Sequence, residues 1–156
     1  MMSASIKITG FDGAIQFLRK LEGVVEKAVD RSIYESVHST ASDMRNNIKD
    51  GDFTPNAPYT VALKGRDEPL VDTGDMLSSI KAIKTKKGWS AGPTGHNRSA
   101  GMSNLKLATR NEAGGWEVKE NGHIVKVPAR PFAQKPVDEN IDELPRLIEK
   151  KIEAFL

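Results

Sequence analysis

From Ala14 to Ile48 the apolar residues fall three or four positions apart, and this constrains the fold more than any other feature. Ala14, Leu18, Leu21, Val25, Ala28, Val29, Ile33, Val37, Ala41, Met44 and Ile48 form one stripe, the pattern of a single helix face. The opposite face carries Arg19, Lys20, Glu26, Lys27, Asp30 and Arg31. Asp12 offers an N-cap and Asp50-Gly51-Asp52 a stop. Gly23 weakens the helix by about 1 kcal/mol relative to Ala without breaking the stripe. A helix of about 35 residues reaches about 50 Å at 1.5 Å per residue, too long for a compact domain of this size. It therefore bends, or lends part of its length to a neighbouring subunit. Ser32, Ser36, Ser39, Thr40 and Ser42 cluster within it and read as a closely packed or solvated face. No base stands at a fixed offset to make one of them a nucleophile.

The remaining chain alternates turn signals with short patterned runs. Ser5-Ile6-Lys7-Ile8-Thr9 reads as a short strand before the helix. Residues 53–69 hold Pro55, Pro58, Gly65 and Pro69, an irregular connector. In the turn Asp72-Thr73-Gly74, Asp72 as N-cap would put Asp75 at the third helical position, with Val71 and Met76 closing a hydrophobic staple. Leu77 and Ile80 then face the core, and a strand follows over 80–85. Gly88 to Ser103 has four glycines and little apolar pattern, so a long flexible loop is expected at about 86–104. Leu105 to Asn111 is ambiguous between strand and short helix. The clearest local signal is a hairpin over 116–127 turning at Asn121-Gly122. Its register pairs Trp116 with Val127, Glu117 with Lys126 and Val118 with Val125, so Trp116, Val118, Val125 and Val127 share a face. A last helix is expected from Pro136, with Ile141, Leu144, Ile148, Ile152 and Phe155 as its buried stripe. The expectation is one α+β domain spanning 1–156, with the N-terminal and C-terminal helices covering a small, mostly antiparallel sheet.

Charge and composition bound the function. There is no cysteine, so no disulfide or thiolate metal site can form. No apolar run approaches the ~20 residues of a membrane span, and residues 1–10 lack the pattern of a signal peptide. No membrane partner is expected, and a cytoplasm is the expected place of synthesis and use. Between Met76 and Asn111 there is no acid but seven bases: Lys81, Lys84, Lys86, Lys87, Arg98, Lys106 and Arg110. The rest of the chain holds all 21 acids against 16 bases. Such a middle either pairs with acidic neighbours or tracks phosphate, with Lys84, Lys86, Lys87 and Arg98 as candidate contacts to DNA or a partner ring. Trp89 is the one aromatic residue in it, which argues against base stacking.

Motifs of catalysis or cofactor binding are weak. Asp72-Thr73-Gly74 is the triplet of aspartic proteases, where two such aspartates share a proton. Asp75 would add a third carboxylate beside that dyad, Glu68-Pro69 stands where a buried strand should run, and the second apolar-apolar-Gly element is not evident. A capping turn is the better reading. His38, His96 and His123 have no metal-ligand spacing. Gly92-Pro93-Thr94-Gly95 lacks the following Gly-Lys-Ser/Thr and leading strand of a phosphate loop. No catalytic, cofactor or metal site is expected. Arg130 stands between Ala129 and Pro131, in a stretch that prolines hold extended, with Phe132 as an apolar anchor to the core or to a subunit interface.

In order along the chain, several of these segments resemble the small tail-completion and head–tail connector proteins of long-tailed double-stranded DNA phages. Ile6-Lys7-Ile8-Thr9-Gly10-Phe11 before a long helix is similar to the family's opening. Its Thr-Gly-x-Leu-x-x-Ser-Ile signature is met at Thr73, Gly74, Leu77, Ser79 and Ile80, with a departure in spacing that places Ser78 and Ser79 both before Ile80. Its Ala-x-x-x-Glu-x-Gly segment is met at Ala108, Glu112 and Gly114, and its Pro-x-Arg-Pro-Phe ending at Pro128, Arg130, Pro131 and Phe132. The resemblance implies a structural, non-enzymatic virion protein at the neck or tail, assembled in the host cytoplasm. It would form a ring, expected to be hexameric, between the head connector and the tail terminator or tube, with genome DNA passing through its lumen. The alternatives are a nucleic-acid-binding module over residues 81–110 and, less favoured, an aspartic hydrolase at Asp72.

Overall fold

The computed structural model describes residues 11–65, 67–71, 73–120 and 122–155. The strand expected over Ser5–Thr9 and the cap expected at Asp72 lie outside them. The architecture is α+β: a long N-terminal helix, a C-terminal helix and small antiparallel ribbons. Helix α1 runs Phe11–Asp50 as one element of 40 residues, about 60 Å at 1.5 Å per residue. It stops at the expected Asp50, where the Gly51 N–H caps back onto the Asn47 carbonyl at 2.8 Å. A Cβ on Gly51 would come within 2.3 Å of that carbonyl oxygen, so the exit from α1 requires glycine.

Only the C-terminal part of the expected α1 stripe is buried. Ala28, Ala41, Met44 and Ile48 are inside, whereas Phe17 and Leu18 are 61% exposed. The first turns of α1 therefore project past the body of the molecule with their apolar side chains in water.

Helix α2 (Pro58–Lys64) lies in the connector expected to be irregular, started by Pro58 and ended by Gly65 at φ 72°. Helix α3 (Asp75–Ser79) leads directly into β1 (Ile80–Thr85), at the strand boundaries read from the sequence. The stretch expected as a flexible loop is instead structured. β2 (Gly88–Pro93) pairs antiparallel with β1 along its whole length around the two-residue turn Lys86-Lys87. β3 (His96–Asn97) and β4 (Met102–Ser103) form a second small ribbon. Helix α4 (Asn104–Ala113) resolves the ambiguous segment, with the Ser103 hydroxyl accepting the Lys106 N–H as N-cap at 3.2 Å. β5 (Trp116–Glu120) and β6 (His123–Val127) form the third ribbon in the expected register. Helix α5 (Gln134–Phe155) closes the described chain.

The expected single sheet is thus three two-stranded ribbons. α5 lies along α1, while the β1–β2 ribbon packs on α1 through other residues. On α1, Ser36 and Asp43 meet α5 and Tyr34 and His38 meet the ribbon. At 100° per residue these pairs lie on opposite sides of the helix. The layer order is ribbon, α1, α5. The hydroxyl-rich face of α1 is the one against α5. Ser32 is fully buried there, and the Ser36 hydroxyl donates to the Asn140 carbonyl at 3.2 Å. The expected α5 stripe is only partly buried: Leu144, Ile148 and Ile152 are half-buried, but Ile141 is 60% exposed and Phe155 is also exposed. Val137, Leu147 and Lys151 supply the rest of the inward face. The main core joins Ala41, Met44 and Ile48 of α1 to Met76, Ile80, Ala108 and Phe132.

Candidate functional site

The motif residues separated in sequence converge on one buried joint at the start of α5. Glu112, in the last turn of α4, aims its carboxylate at the N-terminus of α5. It accepts the backbone N–H groups of Phe132 at 3.0 Å, Ala133 at 3.1 Å and Gln134 at 3.0 Å. A helix start leaves such donors without intrahelical partners, and a carboxylate satisfies them with favourable charge. Gly114 lets the chain turn beneath this point. Its φ is 65°, and a Cβ there would sit 2.2 Å from the Ala129 nitrogen. Pro128, half-buried, and Pro131, exposed, hold the backbone of this segment extended. Phe132 is 1% exposed within the core, and its carbonyl accepts from Asn47 of α1 at 2.9 Å. Phe132 is therefore a core anchor.

Arg130 is 6% exposed and points inward. Its Nε donates to the Thr54 carbonyl at 3.1 Å. Its Nη2 donates to the Pro55 carbonyl at 3.2 Å and to Asn56 Oδ1 at 3.1 Å. The Arg130 N–H donates to the Asn111 carbonyl at 2.8 Å. Burial pushes the guanidinium pKa below its ordinary value, and the nearby Asp67 carboxylate opposes that shift. Asp67 in turn accepts the Asn56 N–H at 2.9 Å. One planar fork thus fastens the connector after α1 to the strap before α5, a role that suits Arg rather than Lys.

The first motif meets the same core from the other side. Gly74, at φ 83°, precedes α3, and the Thr73 hydroxyl accepts the Asp75 N–H at 3.3 Å. Asp75 is therefore the first residue of α3, not the third helical position expected for it. Met76 takes the buried place at 3% exposure, while Leu77 is half-buried at the core margin. Ser79 donates to the Met76 carbonyl at 2.7 Å, and Ile80 is buried with its carbonyl held by Arg45 at 2.6 Å.

The basic candidates lie elsewhere. Lys84, Lys86 and Lys87 sit exposed at the tip of the β1–β2 ribbon, and Arg98 is exposed in the turn between β3 and β4. Lys84 lies over the Trp89 ring at 5.7 Å. Trp89 is joined by aromatic neighbours from α1 that the sequence could not place beside it. Tyr34 packs edge-on at 5.0 Å and His38 lies at 6.1 Å.

A groove of about 640 Å³ opens between α2 and the β5–β6 ribbon. Its walls include Leu63, Trp116, Val118, Val125 and Val127, the apolar hairpin face read from the sequence, and Arg130 lies in its lining. Among the described residues no three His, Asp or Glu side chains gather as a metal site, and no helix is long and apolar enough to cross a membrane. No protein-family model, curated protein or solved structure matches the chain significantly.

Proposed function

We propose that this chain is a structural virion protein of the head–tail junction, a tail-completion or head–tail connector protein acting as a ring between head and tail. One observation carries the reading. The segments that resemble the phage family, Ala108 to Gly114 and Pro128 to Phe132, meet in a single joint that binds α1, α4 and α5 together. Motif residues used in this way set a shape for neighbours to fit. The projecting end of α1, with Phe17 and Leu18 in water, supports the same reading. A helix end with exposed apolar side chains gains its stability from a partner surface. The neighbours in this role are other copies of the chain, the head connector and the tail terminator or tube, with genome DNA in the lumen. Deleting the gene from a source phage or prophage tests the reading. DNA-filled heads separated from tails, or tails of aberrant length, are the expected outcome.

A second reading is favoured by the cluster of Lys84, Trp89, Tyr34 and His38, which puts the Lys84 cation beside aromatic rings. In this reading the ribbon tip tracks nucleic-acid phosphates. Duplex binding would then weaken steeply with salt and be lost on replacing Lys84, Lys86 and Lys87 together.

A further inference from the structure

We propose that the outer face of the β1–β2 ribbon of one copy docks on the outer face of α5 of the next. The chain would then assemble head to tail through two different flanks of the same molecule. This rests on the ring reading above and adds which surfaces meet.

The layer order supplies the geometry. The ribbon and α5 cover opposite sides of α1, so their outer faces point away from each other. Two unlike patches on opposite flanks are what a heterologous interface requires, and a closing rotation turns it into a ring.

The charges on the two flanks are complementary. Along β1 the residues alternate. Ile80 is in the core and Lys84 lies over Trp89, which packs on α1. Lys81 and Ile83 therefore take the outer face. Lys86 and Lys87 form the turn at the tip, Lys84 stands on the α1 side beside them, and Lys27 continues the ribbon-side face of α1 one heptad before Tyr34. Asp30 lies at the edge of this surface, and Glu35 is occupied by Lys151 at 2.8 Å and Arg31 at 3.2 Å.

On α5, Asp138, Asp142, Glu149 and Glu153 recur at spacings of four, seven and four and are all exposed. They make one stripe opposite the side that meets α1. Arg146 and Lys150 interrupt it, and Lys135 is matched by Glu139 at 3.8 Å. The stripe is about 22 Å long, and a six-residue strand such as β1 is about 20 Å, so the lengths match.

Each flank also offers an apolar side chain, on α5 at the edge between the stripe and the side that meets α1. Ile141 is 60% exposed beside the acidic stripe, and Ile83 lies half-buried in the middle of the ribbon's outer face. Charge of this kind sets partner choice and register, while buried apolar area holds the contact. The occupant is a second copy rather than nucleic acid, because the matching charge lies on the opposite flank of the same chain. The Trp89 ring is also already engaged by Lys84 and Tyr34.

The absence of cysteine gives a clean background for the test. Ser90 faces outward opposite Ile83. The double variant Ser90→Cys/Pro145→Cys, with Pro145 exposed within the acidic stripe of α5, treated with a short thiol crosslinker at high protein concentration and roughly 50 mM salt, should give a ladder of oligomers. Each single variant should not, and roughly 0.5 M salt should suppress the ladder severalfold. In the same double-cysteine background, Lys81→Glu/Lys86→Glu/Lys87→Glu and Asp142→Lys/Glu149→Lys/Glu153→Lys should each abolish it. Mixing the two charge-reversed proteins should restore it, because every contact is again complementary. Restoration also shows that both variants are folded. No ladder, a ladder indifferent to charge reversal, or dimers from Ser90→Cys alone would overturn the docking. Loss of duplex DNA binding in the lysine variant with an unchanged ladder would assign the ribbon to nucleic acid instead. A ladder from a protein whose deletion leaves virions normal would keep the docking and remove the neck role. Detached heads without a ladder would do the reverse.

Discussion

Gly114 and Glu112 show how few side chains set the angle between α4 and α5. The backbone of Ala129 fills the space where a Gly114 side chain would go, and the φ of 65° is one that other residues adopt at a cost. Gly114→Ala is therefore expected to destabilise the protein by roughly 2–4 kcal/mol through backbone displacement. Urea unfolding measures this directly. Gly122→Ala serves as the comparison, since its φ is also positive but nothing lies within 4 Å of its added Cβ, and it should cost clearly less. The sequence revealed the Gly114 motif as a pattern but not its mechanism. The close approach of Ala129 to Gly114 and the capping of α5 by Glu112 join residues 15 to 22 positions apart, and local spacing says nothing about such pairs. The prolines around Arg130 announce an extended backbone, and its side chain turns inward to the connector carbonyls. Flanking prolines fix the backbone of an arginine without indicating which side of the chain is solvent.

At the scale of elements, what local chemistry dictates was legible and what a distant partner dictates was not. The end of α1, the limits of β1 and the register of β5 with β6 all follow from turn residues and alternation. β2 was missed because Gly-Trp-Ser-Ala-Gly-Pro has little strand character of its own and is held by pairing to β1. Ile141 and Phe155 were misplaced because apolar periodicity alone set the expected face of α5. The observed face includes Asn140 and Lys151, which bond to α1. The Lys151–Glu35 contact at 2.8 Å is part of that seam. Glu35 has its pKa lowered from 4.5, first by the hydrogen bond from Lys151; burial opposes the shift, and the hydrogen bond and charge of Arg31 add to it. A carboxylate with a depressed folded pKa stabilises the fold fully above its unfolded value, and that contribution is lost as pH falls through the folded one. The α1–α5 seam should thus weaken as pH drops below about 4.5. Glu35→Gln should be less stable than the native chain at pH 7, and the difference should shrink towards pH 3. Thermal melts of both proteins across that range measure it. Glu35 is partly exposed, so the effect is modest.

The whole molecule is a small core with a helix too long for it. About a third of α1 extends beyond the part that packs, and the apolar residues there gain nothing in an isolated copy. The same chain has unlike charged flanks on either side of α1. These features suit the head–tail assembly proposed above. Length and periodicity announced the overlong helix. The opposed flanks became visible only with the layer order, because charges from α1, the ribbon and α5 are far apart in sequence.

The most direct test of the neck reading is to prepare particles lacking this protein and examine them by electron microscopy before and after adding it back. DNA-filled heads and separate or malformed tails are expected without the protein, and joined, infectious virions once the purified chain is supplied. Intact, infectious virions in its absence would contradict the neck reading.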